Sequence, residues 1–350
     1  MTLYVLRYFP TLTETFVHDE IAALVAREGP DHVAIAAFDA REASGRIAPA
    51  PVYPQPHRWA WWAWLPALLS ELRHGWPVER DGRWRSLWLA VLLRRLKPRL
   101  VRVHFAGEAA VWTSRACARA GVPFAVTVHA VDLYKPHPLL PAVLKAAVEV
   151  ATISEYNRRL LWERHGVEAV VRRCRAQPAA ESTREPGRLL FVGRNVAKKG
   201  LDTLLAAVRQ LVAEGVVVHL DVISDVPDPD IAGVTVLGLL PHDHVLTRIL
   251  RASAVVLPCR RAPDGDMDGI PVVLLEAMAA GVAVVSTPIS GIPEVVDETV
   301  GWLVPPDDVA ALVAVLRRVI ADPAEAGRRG QAGRARSSGE LPSLAERKPT

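Results

Sequence analysis

The stretch Asp268-Gly269-Ile270-Pro271-Val272-Val273-Leu274-Leu275-Glu276-Ala277-Met278-Ala279-Ala280-Gly281 places one acid just before a helix start and a second acid eight residues later on that helix. Gly269 lets a ligand approach the backbone closely, and Pro271 suits the first helical position because its missing N–H costs nothing there. The free N–H groups and the positive end of the helix dipole attract phosphate. A carboxylate such as Glu276 can accept two hydrogen bonds from the vicinal hydroxyls of a ribose or a hexose. The stretch therefore predicts one site for phosphate, ribose and sugar, as a nucleotide sugar requires.

A second motif, Phe191-Val192-Gly193-Arg194-Asn195-Val196-Ala197-Lys198-Lys199-Gly200, follows a predicted strand and precedes a predicted helix. It is not a P-loop, because the glycine spacing and the Lys-Ser/Thr ending are absent. It still places two cations, Arg194 and Lys199, beside a helix start. Because a leaving diphosphate gains negative charge as a glycosidic bond breaks, cations at that position lower the barrier. We interpret Lys198 as a solvated neighbour of these two residues.

Three further polar positions follow predicted strands in the first half of the chain. His129 ends the apolar run of Val126-Thr127-Val128, where an imidazole can donate a hydrogen bond to a sugar hydroxyl or position an anomeric centre. His104 ends an earlier run, and we favour a structural role for it. After the first strand, Thr13 or Thr15 could cap the next helix, with Glu14 in its first turn.

Apolar runs that are typical of buried parallel strands alternate with helical patterns in both halves of the chain. This alternation predicts an α/β protein of two doubly wound, Rossmann-like domains, residues 1–170 and 188–325, facing a central cleft. The polar, Arg-rich segment 171–187 is the predicted linker. Residues 326–350 are rich in Arg, Gly and Ser, and are predicted to form an irregular tail. Ligands of such sheets bind outside the carboxyl ends of the strands, where the motifs above stand.

The 350 residues are many for a single core, and 50% of them are hydrophobic, which indicates a globular chain of two domains. The cysteines Cys117, Cys174 and Cys259 are far apart and odd in number, so we expect a reducing compartment and no disulfide framework. The start of the chain lacks a secretory signal pattern. The longest uncharged apolar run, Trp59–Leu69, is shorter than the ~20 residues of a spanning helix. We therefore expect a cytoplasmic protein.

Tryptophans are interleaved with basic residues between Arg58 and Arg102, where ten Lys and Arg stand against three acids. Aromatic and basic side chains together suit a bilayer interface with anionic headgroups. The alternative is that these tryptophans, which include Trp84 and Trp88, pack against the core of the first domain. Both interpretations remain open at this point.

The run Asp264-Gly265-Asp266-Met267-Asp268-Gly269 imitates the start of an EF-hand loop. The bidentate Glu of such a loop would stand at position 275, which is Leu275, so calcium is not expected. The Asp-x-Asp pairs also suggest a metal-bound sugar nucleotide in a single-domain transferase fold, which the two alternating halves argue against. We expect no cofactor and no metal, with Arg194, Lys199 and the helix end in place of a cation.

Over about residues 3–320 the chain resembles the retaining glycosyltransferases of family 4, which have the GT-B fold. Their signature is an acid, seven residues and Glu, in a Gly-Ile-Pro setting followed by Glu-Ala-Met-Ala-x-Gly. The first acid here is Asp268 rather than the usual Glu, a version that exopolysaccharide and colanic-acid-type members often carry. The resemblance implies that Asp268 holds sugar hydroxyls, that Glu276 holds the ribose, and that Arg194 and Lys199 grip the diphosphate.

The resemblance also implies that His129 contacts the donor sugar and that Thr13 and Glu14 face the acceptor. The implied catalytic residues are His129 and Asp268. The implied nucleotide-sugar-binding residues are Arg194, Lys199, Gly269, Ile270, Pro271, Val272 and Glu276. Two departures from the family are the altered segment 171–176 and a tail without the apolar helix of relatives.

The sequence thus predicts a hexosyltransferase, and the resemblance implies that it retains anomeric configuration. It would move a hexose from a nucleotide diphosphate sugar to a polysaccharide or lipid-linked glycan acceptor in cell-surface polysaccharide synthesis. We expect peripheral contact with the inner face of an anionic membrane. We do not expect nucleic acid as a partner. The alternatives are a nucleotide-sugar epimerase of the same fold and a non-catalytic nucleotide-sugar-binding protein. A nicotinamide-dependent enzyme is disfavoured, because no Gly-x-Gly-x-x-Gly follows a predicted strand.

Overall fold

The computed structural model describes residues 1–9, 15–40, 48–55, 80–174, 176 and 184–339. These residues form two compact units. The first unit comprises Met1–Thr152 and Leu160–Val170, and the second comprises Ile153–Arg159 and the described residues from Val171 onward. The predicted acceptor-side residues Thr13 and Glu14, the tryptophans between positions 59 and 64, and part of the predicted linker lie outside the described residues.

The first unit is built on a seven-stranded sheet in the order β3-β2-β1-β4-β5-β6-β7. Its strands are β1 (Thr2–Phe9), β2 (Val33–Ala40), β3 (Val52–Pro54), β4 (Leu100–His104), β5 (Phe124–Val128), β6 (Glu149–Thr152) and β7 (Val170–Val171). The described helices are α1 (Thr15–Glu28), α2 (Arg80–Leu96), α3 (Glu108–Ala120), α4 (Ala130–Tyr134), α5 (Leu140–Ala146) and, from Leu160 onward, α6 (Glu155–His165). Neighbouring strands from β3 through β6 pair in parallel.

Both faces of this sheet are buried, as β1 shows. Leu3 and Val5 point into one hydrophobic cluster, whereas Tyr4 and Leu6 point into another. Successive side chains of a strand alternate between faces, so a strand that is covered on both sides reads as a continuous apolar run. That is the pattern from which the sequence predicted buried parallel strands.

The second unit has a six-stranded parallel sheet in the order β10-β9-β8-β11-β12-β13. Its strands are β8 (Arg188–Val192), β9 (His219–Ile223), β10 (Val234–Val236), β11 (Ala254–Val256), β12 (Ala283–Ser286) and β13 (Gly301–Leu303). Its helices are α7 (Leu201–Ala213), α8 (His242–Arg251), α9 (Val272–Ala279), α10 (Val309–Ala321) and α11 (Pro323–Gly339). A single hydrophobic cluster joins its strands to its helices.

The two sheets share one winding pattern. In each, the chain moves outward from the first strand to one edge and then returns to continue on the other side. The strand order therefore reverses between β1 and β4 in the first unit and between β8 and β11 in the second. The carboxyl ends at such a reversal form the usual ligand-binding crevice of doubly wound sheets. The prediction of two doubly wound α/β units is confirmed.

The predicted irregular tail is wrong for residues 326–339, which continue α11 and pack against α9 and β12. Sequence inspection missed this helix because glycine and arginine, rather than an apolar stripe, make its contacts. Gly330 lies so close to the end of α9 that a Cβ atom would stand 2.0 Å from the carbonyl oxygen of Gly281. Arg329 stacks over the Trp302 ring at 4.3 Å from its centroid. Across the described residues, no helix combines the length and apolar character that crossing a bilayer demands.

We predict that Gly330→Ala lowers the free energy of unfolding by about 1–3 kcal/mol, the usual cost of forcing a methyl group into a packed contact. Gly333→Ala is the matched control, because its Cβ would lie 3.4 Å from Met278 Cγ, in ordinary contact. Alanine favours a helix over glycine by about 0.5–1 kcal/mol, so the control is expected to be neutral or stabilising. Urea unfolding measures both, and equal midpoints would contradict the packing of α11.

Candidate functional site

Two loops meet at the strand reversal of the second unit. The loop after β8 carries Arg194 and Lys199, and the loop after β11 carries Asp268. Gly200 makes their approach feasible: its φ is +67°, and a Cβ there would stand 2.0 Å from the carbonyl oxygen of Pro258. Only glycine tolerates both the backbone angle and that contact. The close approach of the two loops allows Lys199 to reach the acid on the other loop.

The Asp268 carboxylate is held by two ammonium groups. Lys199 Nζ lies 2.7 Å from Asp268 Oδ2, and Lys198 Nζ lies 3.5 Å from Oδ1. Lys198 also lies 3.1 Å from Asp266 Oδ2, and only 8% of the residue is exposed. The interpretation of Lys198 as a solvated neighbour is therefore wrong, because two largely buried carboxylates share its charge.

Charge pairing outweighs burial at this cluster. Burial alone would raise the pKa of Asp268, but the charges of Lys199 and Lys198 hold it below its ordinary value. Burial lowers the pKa of Lys199, and the Asp268 carboxylate more than reverses this, so the net shift is upward. Cys259 Sγ lies 3.6 Å from Asp268 Oδ2, and burial together with that carboxylate raises the pKa of the thiol. At neutral pH the cluster thus holds a carboxylate and two ammonium groups beside a neutral thiol.

Arg194 is the exposed cation of the site. Its loop is fixed by the Asp225 carboxylate, which accepts the backbone N–H of Asn195 at 2.8 Å. The guanidinium is exposed, and its charge works against that of Lys199 by lowering the pKa of this neighbour. Two cations that repel each other at short range are both stabilised when an anion binds between them. The arrangement suits a diphosphate.

Helix α9 begins four residues after Asp268. Its first residue is Val272, and Pro271 is the N-cap with a φ of −61°, one position before the predicted place. Gly269 and Ile270 are buried beneath this turn. The first N–H groups of a helix have no acceptor within the helix. Here the N–H of Leu274 donates to the carbonyl oxygen of Pro271 at 3.0 Å, so an anionic ligand would be received by the N–H groups of Val272 and Val273.

Glu276 lies one turn into α9, with its side chain 10% exposed. Its Oε1 atom lies 3.7 Å from Nδ1 of His242, the first residue of α8. Sequence analysis missed His242 as a neighbour of the predicted ribose carboxylate. The sequence signal for His242 was its position in the segment after β10. Residues of that segment follow the carboxyl end of a strand, as the other site residues do.

The predicted sugar-contacting His129 lies in the first unit, at the carboxyl end of β5 and at the N-cap of α4. Its Nε2 atom lies 3.2 Å from Nδ1 of His104, which ends β4. The ring stacks on Phe105 with centroids 4.3 Å apart. Burial lowers the pKa of His129 to about 3, helped by the neighbouring His104. The residue is therefore a neutral imidazole at physiological pH.

Sequence analysis also missed Glu20, a carboxylate on α1. His104 Nε2 lies 3.2 Å from Glu20 Oε2, and Tyr4 donates its hydroxyl to Glu20 Oε1 at 2.8 Å. Burial alone would raise the pKa of Glu20, but the charge and hydrogen bond of His104 and the Tyr4 hydroxyl lower it to about 2. The only sequence signal for this residue was an acid on an otherwise mixed helix face, which is ordinary for a solvated position.

The structure thus brings Lys199, Asp268 and the start of α9 together in the second unit, with Arg194 near Lys199 and Glu276 one turn away. His129 belongs to the first unit. Among the described residues, no group of three or more His, Cys, Asp or Glu could hold a metal ion. The metal requirement and the individual site roles stay predictions.

We predict that the Lys199–Asp268 pair contributes a coupling free energy of at least about 1 kcal/mol at pH 7, measured with Lys199→Met, Asp268→Asn and the double variant. Because the pKa of Asp268 is lowered on folding, this contribution is present above the ordinary value of 3.8 and is lost as pH falls through the lower folded value.

The matched control for that cycle is the exposed pair Arg158 and Glu155, whose Nε and Oε2 atoms lie 2.6 Å apart. Exposed pairs of this kind contribute about 0.3–0.5 kcal/mol. A coupling at Lys199–Asp268 no larger than that of the control would contradict the buried, charged state of the cluster.

Comparison with known proteins finds one matching family model and several similar glycosyltransferases. Residues 186–322 match the family model for glycosyl transferases group 1. The chain is 37% identical over 151 residues to the amylovoran biosynthesis glycosyltransferase AmsK of Erwinia amylovora. It is 39% identical over 150 residues to the putative colanic acid biosynthesis glycosyltransferase WcaL of Salmonella typhimurium. These matches cover 40% and 39% of this chain, and they span little more than a third, 37%, of the length of each relative.

The fold also matches solved structures over nearly the whole chain. Anabaena Alr3699/HepE in complex with UDP-glucose superposes with a TM-score of 0.72 at 15% identity, covering 97% of this chain and 95% of that chain. At this identity the likeness shows the fold alone, which is the predicted GT-B fold. The chain therefore has the GT-B fold, and its residues 186–322 are similar to the group 1 glycosyl transferases.

Proposed function

We propose that this protein is a retaining glycosyltransferase that moves a hexose from a nucleotide diphosphate sugar to a glycan or lipid-linked acceptor. The observation that carries the proposal is the Lys199–Asp268 pair, in which Nζ and Oδ2 lie 2.7 Å apart, four residues before the start of α9. Glu276 stands one turn further along the same helix. Asp268, the start of α9 and Glu276 thus follow one another along the chain in the order of the sugar, the diphosphate and the ribose of a nucleotide sugar.

The donor diphosphate binds Lys199, Arg194 and the first N–H groups of α9. A lysine ammonium has three N–H donors, and Asp268 accepts from Lys199 in a single short contact, so further donors remain for phosphate oxygens. Asp268 keeps the ammonium charged and aimed in one direction. As the leaving diphosphate gains negative charge, these fixed cations and the helix end stabilise it more than they stabilise the bound donor.

The donor sugar and ribose bind the two acids of the segment. An ionised carboxylate offers about four acceptor positions, and Lys199, Lys198 and Cys259 take three at Asp268, which leaves one for a sugar hydroxyl. Glu276 accepts from both ribose hydroxyls, and His242 supports its carboxylate from α8. His129 contacts the sugar from the first unit. These residue roles follow the family resemblance and the chemistry of each group.

The proposed reaction retains the configuration of the sugar. The bond from the anomeric carbon to the phosphate oxygen breaks, and the acceptor oxygen bonds to the same face of that carbon. The acceptor hydroxyl proton passes to an oxygen of the departing diphosphate. No protein general base is needed, and charge neutralisation comes from Lys199, Arg194 and the α9 end. We therefore propose that activity persists in the presence of a metal chelator.

The acceptor and biological setting rest on the relatives. AmsK and WcaL carry names from amylovoran and colanic acid biosynthesis, which supports a polysaccharide or lipid-linked glycan as the acceptor. The UDP-glucose in the HepE complex supports a nucleotide diphosphate sugar as the donor. A binding panel can identify the base and the sugar of the donor.

We predict that one of UDP, GDP, ADP and dTDP, with its sugars, raises the melting temperature of the protein selectively. At about 100-fold excess over the dissociation constant, binding to the folded state adds roughly 2.7 kcal/mol of stability. Glu276→Ala should abolish the shift, because the ribose hydroxyls lose their acceptor. The control Glu298→Ala removes an exposed carboxylate of the same unit and should leave the shift unchanged.

Product analysis with the stabilising donor separates the three candidate activities. Sugar transferred to an acceptor with its configuration kept supports the proposal. Epimerised free donor would indicate a nucleotide-sugar epimerase, and unchanged donor with tight binding would indicate a non-catalytic binding protein. No shift with any nucleotide on a folded sample would contradict the donor site altogether.

We also propose that the protein works in the cytoplasm at the inner face of the membrane, where its basic first-unit segment meets anionic lipid. Trp88 is buried against Phe38, with ring centroids 5.6 Å apart, so this tryptophan belongs to the core. Trp84, on the same helix, is 38% exposed and remains available for an interface. Co-sedimentation with anionic vesicles is expected at low salt and should weaken as salt rises. Equal binding to neutral vesicles would contradict this.

A further inference from the structure

The first turn of α6 is capped by a carboxylate from a distant part of the chain. Glu294 Oε2 accepts the backbone N–H of Glu155 at 2.9 Å, and Glu294 Oε1 accepts that of Tyr156 at 2.8 Å. The guanidinium of Arg173 donates to the same Oε2 at 2.8 Å. These four residues all belong to the second unit. We call this arrangement the Glu294 cap.

The other free N–H groups of this helix start are satisfied by Ser154, which is fully buried. Its hydroxyl accepts the N–H of Asn157 at 3.1 Å, and its carbonyl oxygen accepts that of Arg158 at 3.0 Å. With the Glu294 cap, each of the first four N–H groups of α6 therefore has an acceptor within the protein. The cap consequently fixes the position of the turn and leaves no N–H group of it for a ligand.

Glu294 ends the loop 287–294, which packs closely against the residues before α9. A Cβ atom at Gly291 would stand 2.8 Å from Ser154 Cβ and 2.9 Å from Ile270 Cγ1. The φ angle of Gly291 is −85°, which every residue type adopts, so glycine is required here by the close packing alone. The loop, the segment before α6 and the segment before α9 thus meet without room for a methyl group.

The contact at Ile270 bears directly on the start of α9. Ile270 is 5% exposed, and it immediately precedes Pro271, the N-cap of that helix. The N–H groups of Val272 and Val273 follow within three residues. Because closely packed interiors transmit displacements, a shift of Ile270 would move these two N–H groups.

The loop 287–294 is fixed at both of its ends. At its beginning, the Thr287 hydroxyl donates to the carbonyl oxygen of Cys259, in the loop that leads to Asp268. At its end, Glu294 is held by the N–H groups of α6. A loop with two anchors keeps Gly291 in one place against Ile270.

We propose that Glu294 and Gly291 are positioning residues for the donor diphosphate. The Glu294 cap holds the first turn of α6 against the loop 287–294, and Gly291 allows the close contact with Ile270. That contact in turn sets the direction of the free N–H groups at the start of α9. The inference rests on the proposed function in one respect, that the diphosphate binds these N–H groups. Neither Glu294 nor Gly291 is assigned a contact with the donor.

The first test needs no ligand. In NMR spectra of the full chain, labelled at isoleucine methyl groups and valine backbone nitrogens, we expect Glu294→Ala to shift the signals of Ile270, Val272 and Val273. The substitution removes both acceptors of the α6 start, so the turn and the loop 287–294 lose their fixed contact. Unshifted signals of the three residues in the folded variant would overturn the proposal.

Three further variants separate this effect from a general one. Glu294→Gln keeps one acceptor oxygen, so it should shift the same signals less than Glu294→Ala, and it replaces that variant if the latter does not fold. Glu298→Ala removes an exposed carboxylate of the same unit. Gly107→Ala adds a methyl group at a similar φ of −86°, where a Cβ atom meets nothing within 4 Å. The last two should shift none of the three signals, and shifts as large as those of Glu294→Ala would overturn the proposal.

The second test measures binding, with whichever of UDP, GDP, ADP and dTDP stabilises the wild type. By isothermal titration, Glu294→Ala and Gly291→Ala should each raise the dissociation constant at least about tenfold, the value of one hydrogen bond to a charged group. Glu298→Ala and Gly107→Ala should leave it unchanged. An unchanged dissociation constant in folded Glu294→Ala and Gly291→Ala would reduce both residues to a stabilising role and overturn the proposal.

The two tests fail separately. If the wild type binds none of the four nucleotides, the proposed function fails. The NMR comparison still decides whether Glu294 and Gly291 position the start of α9, because it uses the protein without a ligand.

Discussion

The second unit depends on one buried electrostatic balance, the Asp268 carboxylate between the ammonium groups of Lys199 and Lys198. Replacing the carboxylate, or the ammonium groups, by neutral side chains would leave the opposite charge without a partner. Such a charge is costly here, because these side chains are only about one-eighth exposed. The balance also joins the loops after β8 and β11, which Gly200 brings into contact. Donor phosphate would enter a site whose positive groups are already aimed, so little reorganisation accompanies binding. This preorganisation is the physical basis of the proposed catalysis.

In the first unit, too, polar groups lie at the carboxyl ends of strands near the point where the strand order reverses. Its sheet reverses between β1 and β4, and His104 and His129 stand at the carboxyl ends of β4 and β5. There His104 lies between a carboxylate and a second imidazole: its Nε2 is 3.2 Å from Glu20 Oε2, and its Nδ1 is 3.2 Å from His129 Nε2. Each unit thus buries an ionised carboxylate beside a nitrogen group: Asp268 beside Lys199, and Glu20 beside His104.

The sequence alone predicted the parts of this arrangement that have a local signal. Apolar runs gave the parallel strands, and the acid, proline and second acid of 268–281 gave the start of α9. It did not predict the burial of Lys198, because a lysine beside a turn is usually solvated and its two acid partners are about 70 residues away. Glu20 was missed for the same reason, because its partner His104 is distant in the sequence and only the fold brings the two together. Helix α11 was missed because its contacts use glycine and arginine.

The proposed donor site requires a nucleoside diphosphate to bind between Lys199, Arg194 and the start of α9. The most direct measurement is a crystal structure of the chain with the nucleoside diphosphate that stabilises it. We predict diphosphate oxygens within hydrogen-bond distance of Lys199, Arg194 and the first N–H groups of α9, with both ribose hydroxyls on Glu276. A nucleotide bound elsewhere, or bound here with Glu276 turned away from the ribose, would contradict the assignment of this site.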